Sequence, residues 1–496
     1  MLLTVLSCTA RKDVDLGTQT FRVDVVLVNG ADPPAADAPL PTNTGKTNEV
    51  WEVQVQAVGP DGDADDFDGF VRLSVNPGAV VSVVNARGEN IGKTLRLESG
   101  KASAIVAGPP VYGGARLWVE DLGYEPTPAG RTPACANGKN DDGEEDALVD
   151  YPNDPGCAFA DDNSEEAGFF AAGASPPVHY ALPSVQDVQG GTSATPFPYE
   201  SLEIDTSDEH ELVVTRISKD GFYVTDLSGQ SSGYNHLFAF NFSTPRGMRV
   251  CDRVTFLSGT VVEFFGFTEL SFPSFDVEPL FEGEEERCRV PDPVVLGFET
   301  IESALSMEQL ESGLVRLEGF QIPQFFGPKP AINNVFAEDQ SSCDLNGDGR
   351  VDFESDAEAS CANECNDNQE CTEWTSYIAR GNYKVWKEET DDDGNVHLLY
   401  MQVNTDPAGQ FSPTSHRGEV LRAVTGTMRN FSGGDLNWTV EARCVDDVIC
   451  DSPGCALDPV AKAEDPNTTQ LATAPIGPKQ ACVALRTIGD NDEASN

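Results

Sequence analysis

The chain has 496 residues and a formal net charge of −50, from 82 acidic against 32 basic residues. That length exceeds what one hydrophobic core organises and points to several domains. The charge disfavours nucleic acid and anionic membrane surfaces, which both call for a positive face. Beyond residue 8 no apolar run is long enough to span a bilayer.

The first element is the short apolar stretch from Met1 to Ser7, closed by Cys8. It resembles the lipobox of bacterial lipoproteins, where a small residue precedes the Cys that becomes the lipidated N-terminus. The resemblance implies lipidation of Cys8 and an exported protein held at the bacterial outer membrane or cell surface. Its partnership with the membrane would then run through the lipid, since two or more acyl chains give stable attachment. Parity agrees: of 13 Cys, removing Cys8 leaves an even set that can pair completely. The other reading is a frayed terminus with a free or paired Cys8.

Twelve closely spaced Cys read as disulfides formed outside the cytoplasm. Zinc is the competing use, through Cys361, Cys365 and Cys371 or through Cys450 and Cys455. Neither spacing matches a usual zinc ribbon or finger, and no His lies nearby.

Residues 1–19 read as a signal remnant and linker. From 20 to 125 apolar and polar residues alternate with period two, as in Phe21–Val28 and Val50–Ala57, with turn residues between the runs. The pattern predicts an antiparallel β-sandwich and resembles bacterial immunoglobulin-like modules, which usually serve as spacers. Residues 130–168 form a Cys-bounded acidic linker. Between Cys135 and Cys157, the ends Asn137-Gly138 and Asp154-Pro155-Gly156 resemble the short Asp-rich repeats of surface proteins in myxobacteria and their relatives. The resemblance implies a Cys135–Cys157 bridge. Ca²⁺ on Asn140, Asp142, Glu144 and Asp150 is one reading of its acids, because a hard cation takes several oxygens from one loop. A solvated acidic turn held by the disulfide alone is the other.

Residues 180–290 carry the runs Leu212–Ser218, Gly221–Asp226 and Gly247–Val261. Their order resembles the OB-fold-like domains that accompany extracellular bacterial nucleases and other surface proteins. A second copy is expected over 296–447, because Leu314–Gly319 echoes the Leu212 strand and Arg417–Met428 echoes Arg246–Val261. An insertion at 339–373 opens that copy, and 448–496 is a polar, Cys-containing tail. The insertion holds the calcium-loop signature of EF-hands, dockerins and thrombospondin repeats, with Asp344, Asn346, Asp348, Arg350 and Asp352 at positions 1, 3, 5, 7 and 9. Gly349 supplies the sharp bend, and Ser355 stands at position 12 with Glu354 and Asp356 beside it. The expected ligands are Asp344, Asn346, Asp348, Asp352 and Asp356 with the Arg350 carbonyl, a merely acidic loop being the other reading.

The sequence therefore predicts an all-β protein: an Ig-like sandwich, two OB-like barrels and disulfide-rich, Asp-rich loops. No catalytic constellation emerges from it. Gly229-Gln230-Ser231-Ser232-Gly233 fits a nucleophile-elbow string, yet a strand-like run follows where a helix is needed. The five His show no metalloprotease spacing. Phe222, Tyr223, Tyr234, Phe264, Phe265 and Phe267 lie where an OB sheet stacks a ligand, while Phe238, Phe240 and Phe242 read as core. A non-catalytic binding or structural module is expected, with a protein or glycan ligand. The alternative is an accessory subunit presenting nucleic acid or glycan to a secreted hydrolase.

Overall fold

Ten strands build the first part of the chain. The computed structural model describes residues 19–486 except 46–48, 61, 66, 109–110, 126, 142–147, 155, 166–169, 230–232, 324–379, 392, 410, 431–437 and 457–481. The chain divides into two units, Met1–Leu182 and Pro183–Asn496. The expected ligands Asp344 to Asp356, together with Asp142, Glu144 and Cys8, lie outside the described residues.

In the first unit the strands are β1 (Thr20–Val28), β2 (Glu49–Gly59), β3 (Gly62–Asp63), β4 (Gly69–Gly78), β5 (Ser82–Asn85), β6 (Thr94–Leu97), β7 (Lys101–Gly108), β8 (Val111–Asp121), β9 (Gly173–Ala174) and β10 (Val178–His179). One sheet runs β1-β2-β7-β5 and the other β10-β8-β4-β6, with β3 on β2 and β9 on β8. Strands β1-β2-β7-β5 and β10-β8-β4 follow the A-B-E-D and G-F-C order of an immunoglobulin-like sandwich, with β6 added beyond β4. Period-two residues Phe21, Val23, Val53, Val55, Val71, Leu73, Leu117 and Val119 point inward and form the core. Trp51 donates to the Tyr180 hydroxyl at 3.0 Å, which lies 3.4 Å from the Glu49 carboxylate, so the buried polar atoms are paired. The sequence boundary at 125 leaves out β9 and β10. A two-residue strand carries no period-two signal, and the Cys-bounded segment is an insertion between β8 and β9.

The second unit starts with α1 (Val185–Gln189), capped by the Ser184 hydroxyl and the Asp187 carboxylate. Its strands are β11 (Ser201–Glu203), β12 (Leu212–Ile217), β13 (Gly221–Asp226), β14 (His236–Phe240), β15 (Arg253–Glu263) and β16 (Thr268–Glu278). The order β11-β15-β12-β13-β14-β16, with β15 also paired to β16, closes a five-stranded barrel. Then follow β17 (Val294–Val295), α2 (Phe298–Ile301), α3 (Ala304–Gln309), β18 (Leu314–Gln321), β19 (Asn382–Thr390), β20 (Val396–Asn404), β21 (Val420–Asn430), β22 (Trp438–Glu441) and β23 (Val448–Ile449). Here β18-β19-β20-β22-β21 closes on β18 in the same way. In each barrel the third and fifth strands pair in parallel, β14 with β16 and β20 with β22. Both are OB-type barrels of one topology. Disulfides join Cys135 to Cys157, Cys251 to Cys288, Cys444 to Cys482 and Cys450 to Cys455.

Candidate functional site

An OB barrel offers its ligand the face of its second and third strands and the loop between its fourth and fifth. In the first barrel that face is built by Tyr223 on β13, Phe238 on β14 and Phe267 beside β16, all buried and packed on one another. The second barrel covers it. The Arg429 guanidinium, at the end of β21, lies 5.3 Å from the Phe238 ring centre and 5.5 Å from that of Phe267. Arg216, which follows a bulge in β12, lies over Tyr223 at 5.2 Å.

These cations are held by acids from both barrels. Arg216 contacts Glu441 of β22 at 2.5 Å and the Thr427 hydroxyl at 2.6 Å. Arg429 lies 3.6 Å from Asp220 and 3.8 Å from Glu441. Arg216 and Glu441 are both buried, so this pair depends on its partners rather than on water. Burial, followed by the charge of Glu441, pushes the Tyr223 hydroxyl well above its ordinary range. Asn430 donates to the Gly266 carbonyl at 3.0 Å, which seats the β15–β16 loop on the second barrel.

The stacking residues expected from sequence therefore separate. Phe222, Tyr223, Tyr234 and Phe267 are interior, whereas Phe264 and Phe265 are exposed. Phe242, expected in the core, stands outside at 68% exposure, and Phe272, which sequence reading missed, at 69%. Their ring centres are 5.4 Å apart, and Phe242 also meets the half-buried Phe240 at 4.3 Å. Phe242 and Phe272 have φ of 53° and 55°, a left-handed conformation that costs of order 1–3 kcal/mol in a bulky residue. Phe272 and Pro273 stand opposite the single Gly259 at a break in the β15–β16 register. A Cβ at Gly259 would lie 2.8 Å from Leu270 and 2.9 Å from the Ser271 carbonyl. That pairing of an extra residue with a Gly is the signal available in the sequence.

A second feature of this unit is a strap. Cys482, bridged to Cys444 after β22, leads into Val483 and Leu485, which pack on an apolar cluster of the first barrel. Arg486 then grips Asp252 at 2.6 and 2.7 Å.

No described constellation activates a nucleophile. His210 Nδ1 lies 2.8 Å from Asp226 and 3.2 Å from the Ser228 hydroxyl, which itself donates to Asp226 at 2.6 Å. Serine and carboxylate share one ring nitrogen, so the imidazole cannot relay a proton between them. The strand β14 follows Gly233, and His236 is buried beside the Thr225 hydroxyl at 2.8 Å.

The groups whose donor atoms converge most closely are His416 with Cys450 and Cys455, Cys135 with Cys157 and Glu165, and Cys444 with Asp447 and Cys482. All their sulfurs are in disulfides, so none is a thiolate for zinc. Cys361, Cys365 and Cys371 lie outside the described residues. In the Cys135–Cys157 loop, Asp150 accepts the amides of Asn137 and Gly138 at 2.9 and 2.8 Å, and Glu165 accepts those of Asp141 and Asp150. Asp150 thus organises the loop backbone, and the Asn140 side-chain oxygen is turned inward.

No protein family matches the chain, and no curated protein matches it. Among solved structures it is similar to a crystal structure of BcpA, the major pilin subunit of Bacillus cereus. The identity is 11% over 52% of this chain, with a TM-score of 0.17. The chain spans 66% of that pilin, just under two thirds of its length. At that TM-score the likeness carries no argument about fold or function. Among the described residues no helix is long and apolar enough to cross a membrane.

Proposed function

We propose that this protein is a non-catalytic, lipid-anchored module of a bacterial cell surface, exported and held through Cys8, that acts as a binding or structural element. The observation that carries the reading is the covered face of the first barrel. Where an OB barrel would stack a ligand, Arg429 lies on Phe238 and Phe267. That occupancy supports a rigid scaffold over a nucleic-acid reader, and the net charge of −50 favours a protein or glycan ligand. The exposed Phe242–Phe272 pair is the aromatic surface left open for such a ligand. Calcium, held by Asp344, Asn346, Asp348, Asp352, Asp356 and the Arg350 carbonyl, would stabilise the insertion in the second barrel. The Asn140–Asp150 loop is a weaker candidate for the same ion. Four disulfides among the described residues support export.

The same aromatic pair favours the accessory reading, in which the protein presents glycan to a secreted hydrolase. The test is binding of the full oxidised chain to envelope glycans and to a fluorescent single strand, in calcium and then in EDTA. Glycan binding that disappears in Phe242→Ala/Phe272→Ala makes the patch the ligand surface. Tight binding of the single strand would overturn the proposal, and binding of neither leaves the structural role.

A further inference from the structure

The strap Cys482–Arg486 lies on the first barrel the way a peptide ligand lies on a receptor. Its backbone pairs with the segment that follows β16: the Arg486 amide donates to the Leu280 carbonyl at 3.4 Å, and the Glu282 amide donates to the Arg486 carbonyl at 2.8 Å. Arg249 donates to the carbonyls of Ala484 and Leu485 at 3.2 and 3.1 Å. The alternate side chains Val483 and Leu485 pack on the cluster of Val213, Val250, Leu280, Val290 and Leu314.

The last side chain is gripped hardest. Arg486 is 5% exposed and sets its guanidinium on both oxygens of Asp252, at 2.6 and 2.7 Å, while also donating to the Gly247 carbonyl. Asp252 is itself buried, and its carboxylate accepts the Arg249 amide at 2.7 Å, which aims it at the arginine. A planar fork on a buried carboxylate selects arginine and leaves an uncompensated charge when it departs. Backbone pairing combined with pockets for alternate side chains is the recognition mode of strand addition.

The strap is separable from the groove that holds it. Every residue that grips it falls between Val213 and Leu314, far away in sequence. Residues 457–481 stand between the strap and Ala456, enough chain to span about 80 Å at full extension. Its covalent tie is the Cys444–Cys482 disulfide, whose two sulfurs also come from separate segments. A second copy of the chain offers the same strap, so each contact that fills the groove within one chain can fill it between two. We propose that the strap is an exchangeable arm: the groove around Asp252 takes Cys482–Arg486 of a second copy, and reciprocal exchange joins two chains through Cys444–Cys482 bridges. The bridge forms between copies as it does within one, each thiol giving up a proton and an electron to a disulfide oxidant that leaves as two thiols. Exchange needs no ligand at Phe242 and Phe272, so it is independent of the proposed function.

The experiment mixes equal amounts of isotope-labelled and unlabelled full chain, both reduced and unfolded. The mixture is refolded in a glutathione buffer, dilute and then concentrated, and the bridged peptides are weighed by mass spectrometry. The expected result is a mixed-label Cys444–Cys482 peptide whose share rises with concentration towards about half, while Cys135–Cys157 stays single-label. In parallel, a synthetic peptide of Cys482–Arg486 is offered to the full chain carrying Cys482→Ser. Capture on Cys444 is expected, falling about tenfold when the peptide carries Arg486→Gln. If the Cys482→Ser chain does not fold, the isotope experiment on the unaltered chain decides. A Cys444–Cys482 peptide that stays single-label at every concentration, or labels mixed equally on Cys135–Cys157, overturns the proposal. Equal capture of the two peptides also overturns it, because the thiol alone would then hold the arm.

Discussion

Tyr223 and Glu441 share one buried network yet differ in what their removal does. Glu441 is the acid that holds Arg216, so Glu441→Ala leaves a buried guanidinium without its partner. We expect it to lower the stability of the second unit by about 3–5 kcal/mol, read as a fall in the urea midpoint. The Tyr223 hydroxyl has no hydrogen-bond partner, so Tyr223→Phe removes a desolvated polar atom while keeping the ring beneath Arg216. Its effect is neutral or stabilising by up to about 1 kcal/mol, and a clear destabilisation would contradict this network. His236 supplies the pH dependence. Burial pushes its pKa down to about 4, so the unfolded chain takes up the proton first. Its contribution is complete above the ordinary value near 6.5 and is lost as pH falls towards 4, about 3 kcal/mol in all. Glu308, raised to about 7, acts with the opposite sign: its burial penalty is absent at low pH and appears as pH rises from 4.5 to 7. Stability of His236→Gln against pH, measured from pH 7 to 4, is therefore expected to lose the His236 slope and keep that of the acids.

Among the elements, the strap is the piece whose role is set by distant contacts. The Cys444–Cys482 bridge closes a span of 38 residues and delivers Arg486 to Asp252. A bridge of that span is worth about 2–4 kcal/mol. Cys444→Ser/Cys482→Ser is expected to unfold at correspondingly lower urea. It should also speed hydrogen exchange at Glu282, whose amide is bonded to the Arg486 carbonyl. Unchanged exchange at Glu282 would mean that Arg486 holds the strap without the disulfide.

For the whole molecule, the two units each own a complete core, one between the sheets of the sandwich and the other in the barrels. Residues 19–182 and 183–496 produced separately should each melt cooperatively, at temperatures matching two transitions of the intact chain. One of them failing to fold alone would mean that the units depend on each other for stability.

Period-two alternation and the duplicated strands were legible in the sequence, because a half-buried strand writes its inward face into every second residue. The Leu212 and Leu314 strands do occupy equivalent first positions in the two barrels, and the β15 and β21 segments equivalent fourth positions. The Cys135–Cys157 bridge was expected from the resemblance of its flanking residues to short Asp-rich repeats, and the two cysteines are joined. Tertiary structure alone decided which aromatics face water. Phe238 and Phe242 are both phenylalanines at the same period, yet one lies beneath Arg429 of the other barrel, and the other follows the strand end in a left-handed conformation. Nothing local marks Arg429 as the cover of a face formed by Phe238 and Phe267. That is a pairing across barrels, and it exists only once closure of each sheet has fixed where its loops and strand ends point.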